Sequence, residues 1–493
     1  MIIYGVFVLT IILYEFIKLG KKEIFYRNIK VWNMKSVKRI SIIVLVAIMV
    51  FFHSGILIKA TAANQAADQT AALSLYDAIK NALEKNPQLE AARCRVSASA
   101  ERITQATSGV YPKVYVSEAF QRTTTPMWVF GQMLNQGAIT EEDFDPARLN
   151  DPPSIDNFNT MVWMNWPLFD SGQTWFGRQQ AKTAHQASAA GLDRSRQEIV
   201  LQTVTAYTNL IFAKESVAVV DQALKTAKAH LYLIENRYNS GLTVKSDLLR
   251  AQVHISELEQ QRVEANSQYL IAQATLSMVM GEELSADILP VSLPAQKETP
   301  VKELPEWIDK ALAGRPDLQQ MKLQEQVART EIKKSRSAHL PSVNLNGSYE
   351  INTKDFNDTE NNYTVGASVT MNLFSGFGIS AREKEALYQC NEINANLRGM
   401  DQKVRLETRE AYYKLQSAEK RIQASKLSVD AAEEALRIVG NRYDNGQVPL
   451  VSLLDAEMTV IRARNNLNMA LKDHMQSRAQ LALAVGNLDA SFQ

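Results

Sequence analysis

The sequence predicts an α+β architecture made twice over, with two long antiparallel helical hairpins, each preceded by a β-hairpin. Three observations carry this. The stretch NRYNSGLTVKSDLL at 236–249 returns as NRYDNGQVPLVSLL at 441–454, and Gly281 returns as Gly486, all at an offset of 205 residues. A fixed long offset marks an internal duplication. Two runs hold no proline, Leu168 to Leu289 and Gly376 to Arg442. Each run is interrupted or ended by one of the repeated turns, so each copy holds a helix, a turn and a second helix. Finally, alternating segments precede both proline-free runs, weakly in the first copy and cleanly in the second, which is the period of a strand with two different faces.

Composition excludes several classes. The chain has 493 residues with 54 Lys+Arg against 53 Asp+Glu, a formal charge of +1. That balance gives no footprint for nucleic acid. The two cysteines, Cys94 and Cys390, are not repeat equivalents and form no CxxC pair, which argues against a disulfide framework or a zinc site.

Residues 1–62 read as a targeting region. One apolar run, Met1 to Leu19, is followed by Lys21 and Lys22. A second, Ile40 to Ile58, follows Met34, Lys35, Lys38 and Arg39 and precedes Ala60-Thr61-Ala62. A basic flank, an apolar core and a small-x-small site make a secretory signal peptide. Met34 then reads as the true start, residues 1–33 as an over-extended start, and the mature chain begins near 63. A membrane anchor is the alternative. No cysteine lies near the cleavage site to carry a lipid.

The first copy spans 73–290. Leu73 to Ser108 reads as a helix, with Asn86-Pro87 as a break or second start. From Tyr111-Pro112 the pattern changes to alternation: Val114, Val116 and Glu118 against Tyr115, Ser117 and Ala119. Thr123 to Phe158, with Pro126, Pro146, Pro152 and Pro153, reads as a loop by composition. A second alternating run, Thr160 to Leu168, is stopped by Pro167 and Asp170-Ser171-Gly172. The helix that follows, about 65 residues, extends roughly 100 Å and requires coiled-coil-like packing. Gly241 fits a helix stop and Asp247 the start of the next helix, where a carboxylate meets free N–H groups.

A proline-rich linker covers 291–306, and the second copy spans 307–489. Arg315-Pro316 answers Asn86-Pro87, and Leu340-Pro341 answers Tyr111-Pro112. The strands are cleaner here: Val343, Leu345, Gly347, Tyr349 and Ile351 form one face of the first, and Tyr363 to Leu373 alternate in the second. Pro112 to Pro341 is 229 residues whereas Phe169 to Phe374 is 205, so a 24-residue difference falls between the strands of copy one. Hairpin tips accept insertions and barrel strands do not, which makes Thr123–Phe158 the external loop.

Alternation over this length fits a strand between lipid and water, and equally a soluble sheet with one wet face. If the strands are in a membrane, four cannot close a barrel, and open edges do not exist in lipid. Several chains must then share one barrel. The long helices carry Arg237, Glu257, Arg262, Arg405, Glu407 and Arg409 and stay out of the membrane, as a helical tube beneath it.

The paired tips RYNSGLTVKSDLL and RYDNGQVPLVSLL, the strand ends PLFDSG and NLFSG, and the signal peptide together resemble the TolC-like outer-membrane efflux and secretion channels. The resemblance covers about 73–489. It implies a homotrimer in the outer membrane of a Gram-negative-type bacterium. Its twelve-stranded barrel sits in outer-membrane lipid, two β-hairpins per chain, above a periplasmic α-helical coiled-coil barrel. It implies docking on a periplasmic adaptor (membrane fusion protein) of an inner-membrane pump, proton-driven (RND) or ATP-driven (ABC). The docking positions map onto Arg237, Gly241, Leu242 and Thr243, and onto Arg442, Gly446, Gln447 and Val448. The family's gate of aspartate rings and tip hydrogen bonds maps onto Asp455, Tyr443 and Asp247. Ser452 stands where well-known members carry a second aspartate, and Val448 where an arginine supports the closed gate, so the two-ring gate is only partly present.

Other residues suggest no chemistry. His53, His185, His230, His254, His339 and His474 show no HExxH or paired metal spacing, and His474 answers Tyr269, which suits helix packing. The carboxylates Glu141, Glu142, Asp143 and Asp145 suit a solvated loop better than a calcium site. Trp128, Trp163 and Trp166 suit either interfacial anchors or burial. No nucleophile–base arrangement is present, so neither catalysis nor a cofactor or metal is expected. The resemblance implies a passive export duct, the substrate of which the sequence does not specify. A periplasmic adaptor or structural helical-hairpin protein is the alternative, which lacks paired β-hairpins between its helices.

Overall fold

The computed structural model describes residues 72–284, 288–291 and 303–488. The signal-peptide reading therefore lies outside the described residues.

Copy one begins with a short strand β1 (Ala72–Leu73) and helices α1 (Leu75–Lys85) and α2 (Pro87–Thr107). Asn86 ends one and starts the other: its side chain accepts from Gln88 and Leu89 N–H and donates to Val279 O. Strands β2 (Lys113–Thr123) and β3 (Ile155–Asp170) flank the long loop. Helices α5 (Gln173–Asn239) and α6 (Lys245–Met280) form the first hairpin. A two-residue strand β4 (Leu289–Pro290) pairs in parallel with β1. The Tyr207 hydroxyl lies 2.8 Å from both Leu73 O and Val291 O, which fastens this junction to α5.

Copy two repeats the plan with α7 (Leu304–Gly314), α8 (Pro316–Ser337), β5 (Ser342–Thr353), β6 (Glu360–Thr370), α9 (Gly378–Asp444) and α10 (Leu450–Ala484). α5 and α9 are 67 residues each, so the predicted helix length and the 205-residue offset both hold. Among the described residues no helix is long and apolar enough to cross a membrane.

Three expectations need correction. The Thr123–Phe158 segment is not plain loop. It folds into α3 (Pro126–Asn135), a 3-10 turn at Glu141–Phe144 and α4 (Pro146–Asn150). Pro126 and Pro146, read as breakers, occupy first helical positions, where a fixed φ is favourable and no N–H is missed. Pro167 does not stop β3, which carries a register shift there and continues to Asp170. β6 ends at Thr370 and not at Leu373, because its partner β5 begins at Ser342, opposite Thr370.

The four long strands form one antiparallel sheet in the order β2-β3-β5-β6, so the copies join through β3 and β5. Its two faces differ. One cross-strand row is Val116, Val162, Tyr349 and Tyr363, all exposed in the protomer. The row next to it, on the other face, is Ser117, Met161, Glu350 and Asn362. Asn157 and Asn159 each donate from Nδ2 to Asn352 Oδ1 on that polar face. Glu118 interrupts the apolar face and is bonded to Thr160. β2 and β6 are open edges.

Apolar cores lie between the helices. Ala78, Ala82, Tyr207, Leu210, Leu276 and Met280 join α1, α5 and α6. Ala311, Val404, Ala411, Leu481 and Ala484 do the same for α7, α9 and α10. Val200, Val204, Ala479 and Leu483 pack α5 of one copy against α10 of the other. Gly281 and Gly486 end α6 and α10 with positive φ, and a Cβ on either would lie 2.5 Å from Lys85 O or 2.6 Å from Gly314 O. Each copy thus closes on itself at the same place by the same close approach.

Candidate functional site: the paired helical tips

Both tips end in the same turn. Leu242 N–H donates to Arg237 O at 2.8 Å and Gly241 N–H to Tyr238 O at 2.9 Å. In copy two, Gln447 N–H donates to Arg442 O at 2.8 Å and Gly446 N–H to Tyr443 O at 3.0 Å. This paired pattern satisfies the last helix carbonyls and needs a left-handed residue, here Gly241 at φ 71° and Gly446 at φ 70°. α6 and α10 then start from extended Val244 and Pro449. Asp247 lies in the first turn of α6 and accepts from the Thr243 hydroxyl at 3.0 Å.

The two tips pack against each other. Ile234 and Ala251 from copy one and Leu450 and Leu453 from copy two form one buried cluster, flanked by Leu248, Leu436, Val439, Tyr443 and Leu454. Arg237 bridges the copies: its guanidinium lies 5.3 Å from the centre of the Tyr443 ring and 3.8 Å from Asp444 Oδ1. Burial pushes the Tyr443 phenol up, against the nearby positive charge of Arg237. The structure thus brings Arg237 and Tyr443 together and places Asp247 in the same field.

The tips also differ. Leu242 is 78% exposed, whereas Leu450, which answers Lys245, is 2% exposed. Thr243 and Val448 are half-buried, while Arg442 and Gln447 are exposed. Asp455 is exposed on α10 one turn beyond half-buried Ser452, and its backbone carbonyl accepts from Thr459. Among the described residues no side-chain hydrogen bond or ion pair joins Asp455 to Tyr443 or Asp247.

The match to known proteins follows this plan. The family described as "Outer membrane efflux protein" matches residues 78–282 and 307–487, one block per copy. The chain belongs to the outer membrane efflux protein family. Its members are channels of the outer membrane. The proteases secretion protein PrtF of Dickeya chrysanthemi is 24% identical, over 85% of this chain and 89% of that protein. The alkaline protease secretion protein AprF of Pseudomonas aeruginosa is 25% identical, over 85% of each. The Campylobacter jejuni CmeC outer membrane channel superposes with a TM-score of 0.74 at 17% identity, over 87% of this chain and 91% of that one.

Within this efflux-protein frame, one cluster was not legible in the sequence. About three turns above the tips, His230 on α5, His254 on α6 and Glu457 on α10 converge. His230 Nδ1 lies 2.8 Å from Glu457 Oε1, and His254 Nε2 lies 3.4 Å from Glu457 Oε2. His254 and Glu457 are buried. A cavity of about 150 Å³ beside them is lined by Gln222, Thr226, Leu436 and Arg464 among others. The contact with Glu457 holds the His230 imidazole above its usual range, against the opposing effect of burial. Burial alone would raise the Glu457 carboxyl, but His230 and His254 outweigh it and hold the carboxyl low. Among the described residues no group of His, Cys, Asp and Glu has the arrangement of a metal site. The available signal was distance from the repeated glycine: His230 precedes Gly241 by 11 residues, and His254 follows it by 13, as Glu457 follows Gly446 by 11.

Proposed function

We propose that this chain is one third of an outer-membrane export duct serving a tripartite efflux or type I secretion system. The observation that carries this is the sheet: four strands with one apolar and one polar face and two open edges, held at one end of two long, charged helical hairpins. Open edges are untenable in lipid, so β6 of one chain pairs with β2 of the next. Three chains give twelve strands and enclose a lumen lined by Asn159, Asn346, Ser348 and Thr364.

The helical hairpins continue the water path through the periplasm. In this reading the tips meet a periplasmic adaptor, through Arg237, Gly241, Leu242 and Thr243 in copy one and Arg442, Gly446, Gln447 and Val448 in copy two. An inner-membrane pump supplies the energy. Three copies of Asp455 around the axis form an anionic ring that favours cations. With Ser452 and Val448 beside it, a single ring is present, and Arg237 with Tyr443 and Asp247 supplies the tip-to-tip contacts. The names of PrtF and AprF, which refer to secretion of proteases, make polypeptide cargo one candidate substrate class.

The test is the mass and conductance of the purified mature chain. A detergent-bound trimer that opens ion-conducting events in planar bilayers supports the duct. A detergent-free soluble monomer overturns it in favour of a periplasmic helical-hairpin protein.

A further inference from the structure

The insertion that distinguishes the copies is a built structure, and it lies on one side of the sheet. Helix α3 turns Val129 and Gln132 inward, both buried. Gln132 Nε2 donates to Gln121 Oε1 at 2.9 Å. Gln136 Nε2 donates to Asp156 O and Asn157 Oδ1, both at 2.8 Å. Gly137 closes on the start of β6, where a Cβ would meet Glu360 Cγ at 3.0 Å. The rest of the loop is braced to the helix. Phe144 packs edge-on to Phe130 at 6.0 Å, and Thr140 and Asp143 cap each other's turn.

The residues that receive α3 identify the side. Gln121 pairs with Asn157, Asn159 with Asn352, and Asn352 with Glu360. All belong to the polar face, opposite the Val116, Val162, Tyr349 and Tyr363 row. α3 is also at the end of the sheet away from the long helices, since β2 runs from Lys113 by α2 to Thr123 by α3.

We propose that α3 is a constriction in the outer mouth of the channel, with Met127 and Leu134 facing the axis. This rests on the trimeric duct proposed above, in which the polar face is the lumen. Twelve strands about 4.8 Å apart, tilted by about 40°, make a barrel of roughly 24 Å backbone diameter. A helix with its side chains is about 10 Å thick, so three copies of α3 inside that circle nearly fill it. On the side away from Val129 and Gln132, Met127 is 80% exposed and Leu134 is also exposed. Three copies of each make an apolar ring in a polar lumen, and a ring of that kind limits passage by size and by dewetting. The second copy has only a short turn at 354–359 here, so the constriction comes from copy one alone.

The experiment uses the full mature trimer in planar bilayers, with Cys94→Ser to remove the exposed thiol and Cys390 left buried. Met127→Cys is treated from the outer side with a bulky anionic methanethiosulfonate. The expected result is a fall in single-channel conductance to about half or less, as added bulk narrows the ring. Val116→Cys, on the apolar face, is expected to change little under the same reagent. A second variant replaces 124–154 by the short 354–359 turn and is expected to raise conductance and admit larger uncharged polymers. Complete modification of Met127→Cys, verified by mass, with unchanged conductance overturns the constriction, as does a loop-replaced trimer with the wild-type polymer cut-off. In those cases the trimer still conducts, so the duct reading stands. A wild-type chain that forms no conducting trimer instead removes the duct reading itself.

Discussion

Glu457 Oε1 lies 2.8 Å from His230 Nδ1 across the seam between the two copies. The carboxylate belongs to α10 and both imidazoles to the other hairpin, so the contact ties one hairpin to the other near the tips. Asp444 at the end of α9 adds to the field at His230. Arg464, which borders the same cavity, is engaged by Glu433 at 2.7 Å.

The sign of its pH dependence follows from the two shifts. The raised His230 contributes stability that is present below its unfolded-state pKa and lost as pH rises through its folded one. The lowered Glu457 contributes stability that is lost as pH falls through its own folded value. The cluster therefore stabilises most between those two limits. Thermal unfolding of wild type and Glu457→Gln, followed from mild acid to mild alkali, should show a difference that shrinks on the alkaline side. His254→Ala removes the more distant of the two imidazoles and leaves His230 on Glu457, and should cost about 1–3 kcal/mol near neutrality. A wild-type to Glu457→Gln difference independent of pH would count against the ionised pair.

The unequal tips give a second prediction. Leu450 is buried where copy one carries exposed Lys245. Leu450→Lys, the residue that copy one uses, should destabilise by about 2–4 kcal/mol, because a charge enters the shared tip cluster. Lys245→Leu should stay within about 0.5 kcal/mol. Denaturant midpoints of the two variants decide it, and equal shifts would mean the tips are interchangeable.

Arg237 over Tyr443 gives a third. Arg237→Ala removes a partly exposed cation–π contact worth about 0.5–1 kcal/mol. Amide exchange should rise at 440–448 and at 236–243 and stay unchanged in β2, β3, β5 and β6. Exchange that rises in the strands as well would indicate general destabilisation instead.

Far from the tips, Gly281→Ala should be among the most damaging single-methyl changes in the chain. The new Cβ meets the Lys85 backbone carbonyl at 2.5 Å, and φ is 74°. Backbone cannot yield as a side chain can, so a loss above about 2 kcal/mol is expected, against about 1 kcal/mol for Gly241→Ala, where φ is positive but nothing lies within reach. Comparable midpoints for the two variants would refute this ranking.

Much of the architecture was legible because it is written twice. The offset that carries Asn236 to Asn441 also carries Gln173 to Gly378, the first residues of α5 and α9. The same counting located the insertion. It did not disclose α3 and α4, because a proline at a first helical position is read locally as a breaker. The β1–β4 pair of two residues each is too short for any period to register. The tip turns were legible because their glycines and caps act locally. The histidine–glutamate cluster was not, because its three members come from three helices and both copies and only packing brings them within reach. Asp455 is exposed on α10, and its pore role is a matter for the assembled chains.

The open edges of β2 and β6 have a consequence for biogenesis. A solitary protomer has no lipid-compatible form of its sheet, since each edge would leave a row of peptide groups without partners in the bilayer. If the sheet enters the bilayer as proposed, association precedes or accompanies membrane entry, and the rate of forming mature channels should rise more steeply than linearly with the amount of chain synthesised. A cell that makes half as much polypeptide would accordingly lose more than half of its newly formed pores.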